Sequence, residues 1–209
     1  MEQPIPNQIE DESIRVLEAQ IRELYGRICY THKTHEKAAE ASYKLGAFLK
    51  FIQIGLSAAV TVGAFTAIFE KNWAAIVTTI ASAILTGVSA YLKNTDPASV
   101  AQRHRSTAAE LWTVREAYFS LLSDIVAGLI TTNDIQQRRD ELHERLGAIY
   151  KTAPATDSAA YTAAKKGLKR NEELTFSDSE IDAFLPEIIR VSSRNLKRAI
   201  DSAHRDQGK

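Results

Sequence analysis

The chain has 209 residues, with 26 basic and 26 acidic side chains, a formal net charge of zero and a mean hydropathy of −0.22. That balance excludes a nucleic-acid binder held by a basic field and a strongly acidic solvating tail. The one cysteine, Cys29, excludes an intramolecular disulfide scaffold and a CxxC zinc site, which makes a reducing compartment the default.

Residues 1 to 12 contain Glu2, Glu10, Asp11 and Glu12 but no basic residue and no apolar run. They are expected to form a disordered tail and not a cleaved signal peptide. Asp11 or Ser13 then caps a helix. From there Ile14, Leu17, Ile21, Leu24, Ile28, Thr31, His35, Ala38, Ser42, Leu45 and Leu49 recur at alternating spacings of three and four, the pattern of a heptad seam. No proline interrupts it, so one helix is expected to run from about residue 13 to Phe69.

The charges then stop. Phe51 to Phe69 is a gap of 19 residues without a charge, and Asn72 to Leu92 a second gap of 21. Each is close to the roughly 20 residues that a helix needs to cross a hydrocarbon core of about 30 Å. The other 169 residues therefore contain all 52 charges. A hairpin buried in a soluble bundle is the competing reading, since both gaps are rich in Ala, Gly, Ser and Thr. A soluble helix, however, normally solvates one stripe, and no position in either gap is ionisable. Trp73 and Tyr91 lie at span ends, where amphipathic rings favour the headgroup region.

Only Glu70 and Lys71 separate the spans, so the two helices are expected to be antiparallel neighbours with both termini on one side. Lys37, Lys44 and Lys50 precede the first span, and Lys93, Arg103 and Arg105 follow the second. The excess of positive charge places the termini in the cytoplasm.

After the second span, Asp96 is expected as an N-cap and Pro97 as the first helical residue. A second seam follows at Val100, His104, Thr107, Leu111, Val114, Tyr118, Leu121, Ile125 and Gly128. The segments 13 to 50 and 97 to 131 have similar lengths, about 57 and 52 Å as helices, and are expected to pack as an antiparallel coiled-coil stalk. Shorter helices are expected over 134 to 204: Asp134 to Tyr150, Ser158 to about Arg170, a short turn capped by Ser177 that reaches Leu185, and a last helix opened by Pro186. The expected fold is thus an all-α membrane protein, a two-helix transmembrane hairpin (51 to 69 and 72 to 92) continuing into a stalk.

Catalytic signatures are missing. There is no G-x-S-x-G, H-E-x-x-H, Walker or kinase motif, so neither an enzyme nor a cofactor is expected. Cys29, His32 and Glu36 share one helix face, but without a fourth ligand they do not make a closed metal site and are better read as polar positions beside the seam. Lys165, Lys166, Lys169 and Arg170 form a basic cluster able to bind phosphate or anionic headgroups, although a solvated face relieved by Glu172 and Glu173 explains it more simply.

The spans carry two further patterns. Gly55, Ala59, Gly63 and Ala67 recur every four residues, as do Ala75, Thr79, Ala83 and Gly87. Small residues at that spacing let membrane helices approach closely, so these faces are expected to join the two helices of the hairpin. Gln53, Ser57 and Thr61, with Thr78, Ser82, Thr86 and Ser89, form polar stripes. Several hairpins in a ring would turn the stripes inward to line an aqueous path. Alternatively, the hydroxyls bond back to their own helix carbonyls or across the hairpin, while the Gln53 amide needs a partner in lipid.

The order of these pieces is informative: a helix with HisLysThrHisGluLysAlaAla (32 to 39), two spans, AlaGlnArgHisArgSerThrAlaAlaGluLeuTrp (101 to 112), IleTyrLysThrAlaProAla (149 to 155) and PheLeuPro (184 to 186). In this order, over about residues 10 to 190, the chain resembles the SLATT domain family. These are two-transmembrane effectors linked with nucleotide-synthesising SMODS proteins, SLOG sensors or reverse transcriptases in prokaryotic defence islands. The resemblance implies a membrane-perforating or channel-forming effector held inactive until a partner or a nucleotide signal arrives, and the hairpins are expected to act as a homo-oligomer in the inner membrane. With no fused sensor domain in the chain, the trigger is expected to come from a separate protein or to bind the helical C-terminal region. A membrane-anchored scaffold is the alternative.

Overall fold

The structure, a computed structural model, describes residues 6 to 67, 72 to 170, 173, 174 and 177 to 184. Its longest element, α1 (Pro6–Ala67), has 62 residues, about 93 Å of continuous helix. It starts earlier than expected, inside the segment assigned to the tail. Proline fits the first helical position because its missing N–H has no helical partner there, and nothing between Asn7 and Glu12 breaks a helix.

α2 (Asn72–Thr95) returns antiparallel to the end of α1 and stops at Asp96. Asp96 sits in the left-handed region at φ 37°, which a short acidic side chain tolerates better than most residues, and its carboxylate accepts from Ser99 N at 3.2 Å. Pro97 follows as the opening residue of α3 (Pro97–Val126). Here the expected cap and start hold. The end differs: the helix stops at Val126, five residues before the expected end, with Gly128 (φ 66°) as its left-handed stop and not part of the seam.

Thr131 caps α4 (Thr132–Thr152), accepting from Asp134 N at 3.3 Å. Asp157 then receives the Ala160 N–H at 2.7 Å and opens α5 (Ser158–Arg170). These helices form one unit up to Lys165; a second unit begins at Lys166. In the second unit the short α6 (Asp178–Phe184) starts with a reciprocal box: Glu180 accepts from Ser177 N at 2.8 Å and gives its own N–H to Ser177 Oγ at 3.4 Å. The helix expected after Pro186 lies outside the described residues.

The stalk is built on α1 and α3. Leu17, Ile21 and Ile28 of α1 are buried with Leu111, Val114, Tyr118 and Leu121 of α3. α4 adds Ile135, Leu146 and Ile149 to the same core, so the distal half is a three-helix bundle and not the expected two-helix coil. Arg139 donates to Gln20 at 3.2 Å, and Arg138 pairs with Asp124 at 2.8 Å, fixing α4 at its edges. Nearer the membrane the α1 seam turns outward: Leu45 is exposed, while Gly46 is buried close to Pro97. A straight helix drifts about 20° per heptad from a strict seven-residue repeat, and over five heptads this moves the contact line off the sequence seam.

Candidate functional site

The hairpin holds together through one face of each helix. On α1 the half-buried positions are Ile52, Gln53, Leu56, Val60, Gly63 and Thr66; on α2 they include Thr78, Ala81, Ser82, Leu85, Val88 and Ser89, with Ala74 fully buried. Of the three glycines in the spans only Gly63 is in close contact, because a Cβ added there would overlap Thr78 Oγ1 and lie 3.3 Å from Thr78 Cβ. The other small residues are placed differently from the expectation. Gly55 and Gly87 have nothing within 4 Å of an added Cβ, and Ala59, Ala75, Thr79 and Ala83 are exposed. The side chain of Ala67 lies outside the described residues. The reason is angular: a spacing of four advances about 40° per step, so a stripe of four small residues turns by about 120° along the helix, and the α1 stripe meets the partner at Gly63 while the α2 stripe faces away.

The polar set divides as well. Gln53 Nε2 donates to Ser89 Oγ at 3.1 Å across the hairpin, and Thr78 and Ser82 are half-buried in the same interface. Ser57, Thr61 and Thr86 face outward. The Thr61 and Thr86 hydroxyls donate to their own helix, to Ser57 O at 2.9 Å and Ser82 O at 2.8 Å, as Thr78 does to Ala74 O at 2.8 Å. These hydroxyls are therefore satisfied without water. Ser57 lies about 200° around α1 from Gly55, which gives the outward surface two distinct edges, one small and one hydroxylated. Where Ala58, Ala59, Val62 and Gly63 meet Trp73, Ala74 and Val77, the small side chains leave an open apolar notch of about 420 Å³.

In the stalk, Cys29, His32 and Glu36 do not converge as ligands. The Cys29 thiol is raised by burial and hydrogen-bonded to Tyr25, and His32 Nε2 is 3.9 Å from Glu36 Oε1. Among the described residues no group of three His, Cys, Asp or Glu side chains is arranged around a common point. Lys165, Lys166, Lys169 and Arg170 are all exposed on the last turns of α5. One pairing was not foreseen: His35 and His104, both seam positions, meet with Nδ1 atoms 2.9 Å apart. Two histidines at seam positions of helices expected to be antiparallel were the available signal.

Two stretches, within α1 and within the chain from Trp73 onward, are long and apolar enough to cross a membrane, and only 6 % and 0 % of their most apolar windows are buried within the protein. The helices of a soluble core would be covered; these present Phe51, Ile54, Phe65 and Ile76 outward. Residues 17–180 match the family described as SMODS and SLOG-associating 2TM effector domain family 4. The chain belongs to this SLATT family. No curated protein and no solved structure gives a significant match. The SLATT match begins in the stalk at Leu17 and ends in α6 at Glu180, so it takes in the stalk helices as well as the membrane hairpin. As a SLATT domain, the chain is a two-transmembrane effector domain of a family associated with SMODS and SLOG proteins.

Proposed function

We propose that this SLATT protein is a membrane effector of a prokaryotic conflict system, which oligomerises in the inner membrane and permeabilises it when a separate sensor or a nucleotide signal acts on the stalk. One observation carries the reading: the hairpin leaves both of its functional-looking edges unused. Gly55, Ala59, Ala83 and Gly87 face outward, where a neighbouring hairpin can approach closely. Ser57, Thr61 and Thr86 also face outward, and the two threonine hydroxyls bond back to their own helices. Such hydroxyls tolerate lipid while the protein is at rest and solvate a path once hairpins close into a ring. Gln53, Thr78, Ser82 and Ser89 are then structural, holding the two helices of each hairpin. The reading involves no catalytic step, cofactor or nucleic acid.

The test is release of a self-quenched dye from liposomes containing the purified protein at several oligomeric states, with and without the product of a neighbouring gene. Leakage is expected, and replacing Ser57, Thr61 and Thr86 together by Leu is expected to reduce it at least tenfold without dissociating the oligomer. No leakage under any condition would favour a hairpin that only anchors a scaffold.

A further inference from the structure

We infer that His35 and His104 form a proton-sensitive latch between the two stalk helices, closed when the pair is neutral and opened by acidification. The two imidazoles are 3 % and 4 % exposed, tilted 45° to each other, with Nδ1 atoms 2.9 Å apart. At that distance one Nδ1–H donates to the other Nδ1 lone pair, which requires different tautomers on the two rings and room for a single proton between them. A proton added to the neutral pair places charge in a buried site, and a further one sets N–H against N–H; Ala38, Ala101 and Ala108, about one turn from the histidines along the two helices, are buried as well.

The Thr34 hydroxyl donates to Tyr30 O at 2.7 Å and the Thr107 hydroxyl to Arg103 O at 3.1 Å, so neither hydrogen is turned to the pair. The charged or titratable groups acting on the pair are His32 on α1, Arg103 on α3 and Asp157 in the loop before α5. His32 and Arg103 oppose protonation. Asp157 favours it, but its carboxylate is exposed and already accepts the Ala160 N–H. Burial, then the neighbouring His104 and His32, hold His35 down to about 4, and burial with Arg103 lowers His104.

The sign follows. In an opened stalk both histidines regain their ordinary value near 6.5, so below that pH the open form binds more protons and is favoured. The closed form keeps its full advantage above about pH 6.5 and loses it as the pH falls towards 4. Each proton bound by the open form and not by the closed form contributes up to about tenfold per pH unit to the open-to-closed ratio.

The experiment uses the full chain in zwitterionic nanodiscs, with Cys29→Ser and spin labels on Ala41→Cys and Ser106→Cys, two exposed positions on the two helices. Electron–electron distances are measured from pH 7.5 to 4.5. One short distance is expected at pH 7.5, with a longer population growing below pH 6.5. In His35→Asn/His104→Asn, where amides can bond at the Nδ1 positions without titrating, the pH dependence is expected to be largely lost. If that variant is already open at pH 7.5, the single variants decide, each expected to show about half the wild-type slope. An unchanged wild-type distance, or single variants with the full slope, would overturn the latch.

Discussion

Tyr118 shows how much a single atom can matter in this stalk. Its ring is fully buried among Leu111, Val114 and Leu121, yet its hydroxyl has no hydrogen-bond partner among the described residues. A buried, unsatisfied hydroxyl costs about 1–3 kcal/mol, whereas the ring contributes its full apolar area. Tyr118→Phe is therefore expected to stabilise the stalk by about 1 kcal/mol, read as a higher thermal midpoint in detergent. A lower midpoint would mean that the hydroxyl has a partner, such as a bound water. The seam positions of α3 were legible residue by residue: Leu111, Val114, Tyr118, Leu121 and Ile125 are all buried, because apolar spacing states which side chains face a partner. It does not state what two polar side chains will do when they meet. His35 and His104 were visible only as polar members of two seams, since the pairing depends on the relative height of two helices about 70 residues apart in sequence.

At the scale of elements, the stripes of small residues separate two kinds of contact. Gly63 packs within its own hairpin and Gly87 does not, so a Leu at the two positions is expected to act differently. Gly63→Leu must displace Thr78 and splay the helices, an overpacking cost of about 1–3 kcal/mol that lowers hairpin stability. Gly87 is exposed with open space around an added Cβ, so Gly87→Leu is expected to leave the monomer intact while weakening assembly, visible as loss of cross-linked oligomers in membranes. Equal effects of the two variants on monomer stability would contradict this division. The element boundaries were legible where capping chemistry fixes them: Asp96 with Pro97 opens α3, and Ser158 opens α5. Two features were misjudged for identifiable reasons. Gly128 was counted with the seam although it is the left-handed stop of α3. Ile135, Leu142, Leu146 and Ile149 carried a helical stripe that needed a third partner, but a highly charged α4 gave no indication of which helices would receive it.

For the whole molecule, the zero net charge is a sum over two unlike parts, and their arrangement bears on orientation. The hairpin exposes its apolar side chains almost entirely, while the stalk has a folded core surrounded by ion pairs, including Arg22 with Glu18, Lys33 with Glu36 and Arg138 with Asp124. Moving such a bundle across a bilayer means carrying dozens of charged groups through hydrocarbon, whereas the hairpin turn carries only Glu70 and Lys71. Lys50 and Lys93, both exposed where the spans join the stalk, add a positive bias on the same side. The stalk is therefore expected to stay in the cytoplasm, with the turn outside. The prediction is checked with Cys29→Ser/Ser106→Cys and a membrane-impermeant maleimide, because position 106 is exposed on α3 and the native chain contains one cysteine to remove. Labelling is expected in inverted vesicles and absent in intact spheroplasts, at least tenfold apart. Labelling from outside would reverse the topology, and the stalk would then have to receive its trigger outside the cytoplasm.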